Sequence, residues 1–173
     1  MTSTRLLMLA AFVSSQFLGN AVVVAQDAPK NAGDFHSAKE IVDLIPHAVI
    51  MRLKVASQMD AAKSEANAIL EKGARTKTAT LKVKVVRWEP WDAAGEVPSK
   101  FRLQPVDQTV NVNGAAIVVR VWLYLPAEAG PALAKAFRGS ELTITGFLNR
   151  VDFTTNKGEG PRLNIDITRT TIE

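Results

Sequence analysis

Aromatic rings interleaved with cations on one sheet face can stack flat ligands such as bases, sugar rings or aryl groups. The sequence holds three tryptophans where such a face could form. Trp88 and Trp91 flank Pro90 in the stretch RWEPWDAAGEVPSKF (Arg87 to Phe101), and Trp122 stands two residues before Tyr124. Lys82, Lys84 and Arg120 lie in strand-like segments around them. Other chemistry is poorly provided for. His36 and His47, with Glu40 and Asp43, have same-face helical spacings, but Pro46 breaks that helix and no HExxH motif or cysteine accompanies them. No metal site is expected there, and no cofactor. No histidine follows position 47, which leaves a Ser-His-Asp triad without a nearby base. Gly158-Glu159-Gly160 carries a carboxylate that would repel phosphate. Glu89, Asp92 and Glu96 could pair for glycoside chemistry, yet nothing around them argues for a raised pKa, and a solvated loop is expected. The chain does not read as an enzyme.

The elements that must position these residues follow from periodicity. Ser37-Ala38-Lys39-Glu40 has the capping-box form and opens a short helix through Ile41, Leu44 and Ile45. Pro46 to Lys72 reads as one long helix, with Met51, Val55, Met59, Ala62, Ala66, Ile69 and Leu70 on one side and Gly73 as a left-handed cap. After Lys77 the period changes to two. In Thr80 to Trp88, Leu81, Val83 and Val85 share one face, and Lys82, Lys84, Val86 and Trp88 the other.

Phe101 to Val112 runs into Asn113-Gly114, a strong two-residue hairpin signal, and Ala115 to Leu125 returns. That turn puts Val112 opposite Ala115, Val110 opposite Ile117 and Val106 opposite Val121 as one apolar set. Asp107 then meets Arg120 on the other face and is expected to neutralise it. Pro105 removes a ladder donor, so a bulge or edge is expected there, moving Leu103 and Phe101 to the opposite face. A short helix is expected from Pro131 to Gly139, and Glu141 to Phe153 and Arg162 to Ile172 are two further strands.

Composition sets the address and the size. Arg5, the apolar runs Leu6 to Val13 and Ala21 to Ala25, and the small residues at the end of the second run predict a secretory signal over residues 1–25. Ser14, Ser15, Gln16 and Asn20 interrupt the apolar stretch, which argues against a retained membrane span. The expected product is periplasmic or extracellular. Residues 26–36 form a flexible leader, 37–73 a helical extension and 79–173 a single β domain. With no cysteine, an exported chain must be held by its core. A net charge of +4, reduced by one when Arg5 leaves, is far from the dense basic stripe of a nucleic-acid binder.

Strand, strand, strand, helix, strand, strand is the order of an OB-fold barrel, and residues 79–173 resemble that superfamily. The run Gly139-Ser140-Glu141-Leu142-Thr143-Ile144-Thr145-Gly146 is similar to the glycine-introduced fourth strand of exported bacterial OB domains and those of the tRNA-anticodon type. The resemblance implies a mainly β chain with a helical N-terminal extension and a five-stranded barrel (β-β-β-α-β-β). It also implies a ligand site on the second and third strands, flanked by the loops Glu89–Lys100 and Thr154–Pro161, the latter carrying Lys157.

Trp88, Trp91, Lys82, Lys84, Arg120, Trp122, Tyr124 and Lys157 are therefore the candidate ligand-binding residues. The competing expectation, which we favour on sequence, is that the 46–72 helix docks on the outer aromatics, leaving Trp91 as the most exposed member. The expected function is a non-catalytic exported module for a protein, glycan or envelope component. Single-strand nucleic-acid or nucleotide binding is the alternative.

Overall fold

The computed structural model describes residues 34–92, 99–156 and 160–173. Three helices precede the sheet: α1 (Ala38–Val42), α2 (His47–Arg52) and α3 (Met59–Gly73). The strands are β1 (Thr78–Pro90), β2 (Phe101–Pro105), β3 (Gln108–Val112), β4 (Ala115–Leu125), β5 (Glu141–Asn156) and β6 (Gly160–Ile172). A 3-10 turn (Ala127–Ala129) and the short α4 (Gly130–Leu133) separate β4 from β5.

The pairings close on themselves. β1 pairs with β2, β2 with β4, β4 with β6, β6 with β5 and β5 with β1. All are antiparallel except β4 with β6, where Val118–Leu123 run alongside Arg162–Ile167. The result is mainly β and OB-like in strand order and in helix position. Six strands appear where five were expected, because the outgoing hairpin arm is divided. Val112, Val110 and Gln108 hold the two-residue-turn register against Ala115, Ile117 and Val119. Beyond Pro105 the register slips by one, so that Leu103 faces Leu123 and is buried with it. The shift expected at Pro105 is present, but Val106 does not join the apolar set. It sits in the irregular step, its N–H bonded to Lys84 O at 2.8 Å, with its side chain 47% exposed.

A second bulge was not expected. The β1–β2 register shifts between Val85 and Arg87, so that Val85 faces buried Pro105 while Trp88 faces Leu103. Trp88 therefore points to the inner side of the sheet, not to the face of Lys82 and Lys84. It packs on the core and meets Phe101 edge-on at 5.8 Å. The bulged backbone is satisfied from far along the chain: Val85 N–H donates to Ser140 O and Gly139 N–H to Val85 O, both at 2.8 Å. That contact gives the Gly139–Gly146 run a physical role. Gly139 takes a φ of +94°, open to glycine at little cost. At Gly146 a Cβ would lie 2.6 Å from Ile167 Cγ2 and 2.8 Å from Thr168 O, so no side chain fits.

The helical extension departs from expectation in three ways. The segment after Pro46 is two helices, with a turn over 53–58, and Met51 and Val55 are exposed. Gly73 is the last helical residue and no left-handed cap: Ala74, at φ −120°, donates to Leu70 O, and a Cβ on Gly73 would press Leu44 at 3.2 Å. The helix does not dock on the outer aromatics. Its buried stripe, Ala62, Ala66 and Leu70, belongs to the face packed on β5 and α2.

At the same contact the Asn67 side chain accepts from Phe153 N–H at 2.7 Å and donates to Phe153 O, satisfying a stretch of β5 edge. The Ser37 cap and Glu40 form as expected, with the carboxylate taking the His36 N–H at 2.8 Å. Asp34 and Phe35, read as leader, are tied to the sheet: Phe35 is buried and bridges Ala79, and Asp34 accepts from Thr78 N–H at 2.9 Å. Buried residues of helices and sheet form one continuous cluster. α4 ends at Leu133, short of the expected Gly139, because Ala134 to Gly139 leaves the helix in turns. No helix among the described residues is long and apolar enough to cross a membrane.

Candidate ligand-binding face

Three neighbouring strands build the face. Glu89 on β1 lies opposite Arg102 on β2, and Arg102 opposite Tyr124 on β4, all with side chains outward. This row exists because of the two bulges. Without the shift at Val85–Arg87, Glu89 would point inward; without that at Pro105, Arg102 would.

Trp91 follows directly from β1, its N–H bonded to Lys100 O at 2.8 Å, and Lys100 pairs with Asp92 at 2.9 Å across the loop base. The Arg102 guanidinium lies between two indoles, 4.1 Å from the Trp91 ring centre and 4.7 Å from that of Trp122. Trp91 also meets the Tyr124 ring at 6.0 Å. Trp91 Nε1 is buried and donates to no acceptor among the described residues.

Three arginines of this face have a carboxylate partner, while Arg87, beside Glu89 on β1, is held by the Gln104 amide oxygen at 3.1 Å. Arg102 is bound by Glu89, whose pKa is lowered by those hydrogen bonds. Arg120 grips Asp107 with both ends of its fork, at 2.8–3.2 Å, as the hairpin register predicts. Arg150 holds Asp152 at 2.7 Å, and that bond raises the arginine's pKa. Asp166, across the ladders from Trp122 and Arg150, is a further acid; burial raises its pKa, Arg150 opposes the shift and Asp152 adds to it. Desolvation and then the Asp166 charge raise the Tyr124 pKa.

Of the expected residues, Trp91, Trp122 and Tyr124 come together, and Arg120 stands on the same strand face. Trp88 does not join them, since it points inward. Lys82 and Lys84 lie in the other half of β1, opposite Thr143 and Glu141 of β5. Lys157 falls outside the described residues. Arg102, the centre of the cluster, was missed by the sequence reading. Its signal was available, since the Pro105 shift that moves Leu103 inward must move Arg102 outward.

A second depression, a cleft of about 320 Å³, is lined by His36, Ser37, Thr80, Lys82, Gln108 and Thr143 among others. No group of three or more His, Cys, Asp or Glu placed to hold a metal occurs among the described residues.

No protein-family model matches the chain, and no curated protein matches it. Among solved structures it is similar to a small single-stranded DNA-binding protein from Streptomyces coelicolor. The identity is 18%, covering 57% of this chain and 94% of that chain, with a TM-score of 0.36. The charge balance of the face, rather than this likeness, separates the ligand classes considered next.

Proposed function

We propose that the chain is an exported, non-catalytic binding module built on a five-stranded OB-type barrel, with β2 and β3 as one divided strand. Its contact surface is the face of Trp91, Arg102, Trp122 and Tyr124. The observation that carries this reading is the pairing of Arg102, Arg120 and Arg150 with Glu89, Asp107 and Asp152. A phosphodiester strand approaching such a face meets a carboxylate beside Arg102, Arg120 and Arg150, with Arg87 left as an exposed cation, and gains little from counterion release. A partner of mixed polarity, a protein or a glycan of the envelope, meets aromatic rings and the Tyr124 hydroxyl, suited to apolar contact and neutral hydrogen bonding.

Single-stranded nucleic acid is the competing ligand, since three clustered aromatics could also stack bases. The deciding experiment measures oligothymidylate binding by fluorescence anisotropy at 50 and 200 mM salt, beside capture from an envelope extract. We expect weak oligonucleotide binding that Trp122→Ala leaves unchanged, and capture of an envelope protein or glycan that Trp122→Ala abolishes. Tight, steeply salt-dependent oligonucleotide binding lost in Trp122→Ala would overturn the assignment. Export is checked separately: sequencing the protein recovered from the periplasm or medium should begin at Gln26. A cell-retained chain with its first residues intact would contradict it.

A further inference from the structure

Phe137 is 73% exposed, far more than any other large apolar side chain among the described residues. It is not on a loose tail. The turn that carries it is closed twice, by Phe137 N–H donating to Ser140 Oγ at 3.0 Å and Ser140 N–H donating to Phe137 O at 2.9 Å. Gly139 and Ser140 of the same turn anchor it to the Val85 bulge. These bonds fix the backbone that presents the ring to solvent.

Its surroundings are cationic. Arg138 follows it and Lys135 precedes it by two positions, both exposed. The Lys84 side chain runs over Gly139, its Cε 3.9 Å from where a Cβ would sit. None of the three cations forms an ion pair among the described residues. Glu141, across the ladder from Lys84, is a neighbouring carboxylate, and it is outnumbered. Exposed Val106, bonded to the Lys84 backbone, adds a second apolar side chain on the far side of β1.

We propose that this tip, Phe137 with Lys84, Lys135 and Arg138, docks the protein on an anionic lipid bilayer. The cations face the headgroups and the Phe137 ring enters the interfacial layer. The shape of the tip selects a bilayer over a folded partner. A single protruding ring needs a matching pocket on a protein, whereas the interface between headgroups and acyl chains accepts it without one. The surface is separate from the Trp122 face and does not depend on what that face binds.

The sequence contains no cysteine, so Phe137→Cys provides a lone thiol for an environment-sensitive fluorophore. The same label at Ser64→Cys, on the exposed side of α3, is the reference. The difference between the labels at 137 and 64 separates contact by the tip from attachment of the chain elsewhere. With vesicles of mixed phosphatidylglycerol and phosphatidylcholine, the label at 137 should shift to the blue while that at 64 does not.

Adding Arg138→Glu should weaken the apparent vesicle affinity roughly tenfold or more. In sedimentation, Phe137→Ala should weaken the unlabelled chain's affinity by about tenfold, the loss expected when one ring is no longer buried. Circular dichroism verifies that each variant is folded. A label that stays in water on anionic vesicles overturns the proposal. So does an equal shift on pure phosphatidylcholine. A shift produced by heparin or an acidic protein but not by vesicles makes the tip a polyanion site and overturns it as well.

Discussion

The two halves of β1 serve opposite kinds of surface. Its later residues border the Trp91–Arg102–Trp122 cluster, where Arg102, Arg120 and Arg150 are each matched by a carboxylate and the central one is stacked between two rings. Its earlier residues border the Phe137 tip, where among the described residues Lys84 and Arg138 form no ion pair and the ring stands 73% exposed. Similar residue types occur in both places. The difference is that the arginines around Trp122 are paired with acids, while the cations of the tip form no ion pair among the described residues. Aromatic and basic composition is therefore a poor guide to ligand class until the pairings are known.

The contrast can be broken in order of size. Gly146→Val should affect both surfaces at once, because its side chain would collide with Ile167 and with the Thr168 carbonyl. A loss of about 3 kcal/mol in urea unfolding is expected. A tolerated valine would mean that the β5–β6 contact is looser than the close approach implies.

Arg102→Ala should cost about 1–2 kcal/mol through the two lost ring contacts. Arg138→Ala at the tip should stay within about 0.5 kcal/mol. Equal costs at the two sites would erase the distinction drawn here. Between them lies Arg120→Ala, where a half-buried bidentate pair should contribute about 1 kcal/mol. A double-mutant cycle with Asp107→Ala that shows no coupling would contradict that estimate.

The smallest test concerns pH and separates two acids of one face. Glu89 has a lowered pKa, so the stability it contributes is present above its unfolded value and is lost as pH falls through the folded one. Asp166 has a raised pKa, so its contribution is present below the unfolded value and is lost as pH rises through the folded one. Asp166→Asn should therefore gain stability relative to the parent between acid and neutral pH. Unfolding midpoints across that range would show it, and a relative loss toward neutrality would contradict the burial that raises the Asp166 pKa.

Much of the frame is legible in the amino-acid order. Asn113-Gly114 set the hairpin register, Pro105 announced the slip that buries Leu103, and the Asp107–Arg120 pair followed from cross-strand distance alone. The bulge after Val85 was not readable, because the groups that satisfy it, on Gly139 and Ser140, lie more than fifty residues away and no local residue marks the site. That single miss placed Trp88 on the wrong side.

The helix break over 53–58 was hidden for a related reason. Leu-Lys-Val-Ala-Ser-Gln contains no proline or glycine, and the turn is imposed by the packing of α2 and α3 together. The two apolar surfaces take other partners: the rings pack on Arg102, and α3 packs on β5 and α2.

The Asn67 contact bears on how the chain is made. A bare strand margin is an invitation for a second molecule to add itself, and on β5 the amide of one asparagine occupies part of that margin. Synthesis runs from the amino end, so α3 leaves the ribosome some seventy residues before the strand it guards. The cover exists before the hazard does, and a copy lacking its first helices would emerge with a sticky border and no chaperone of its own.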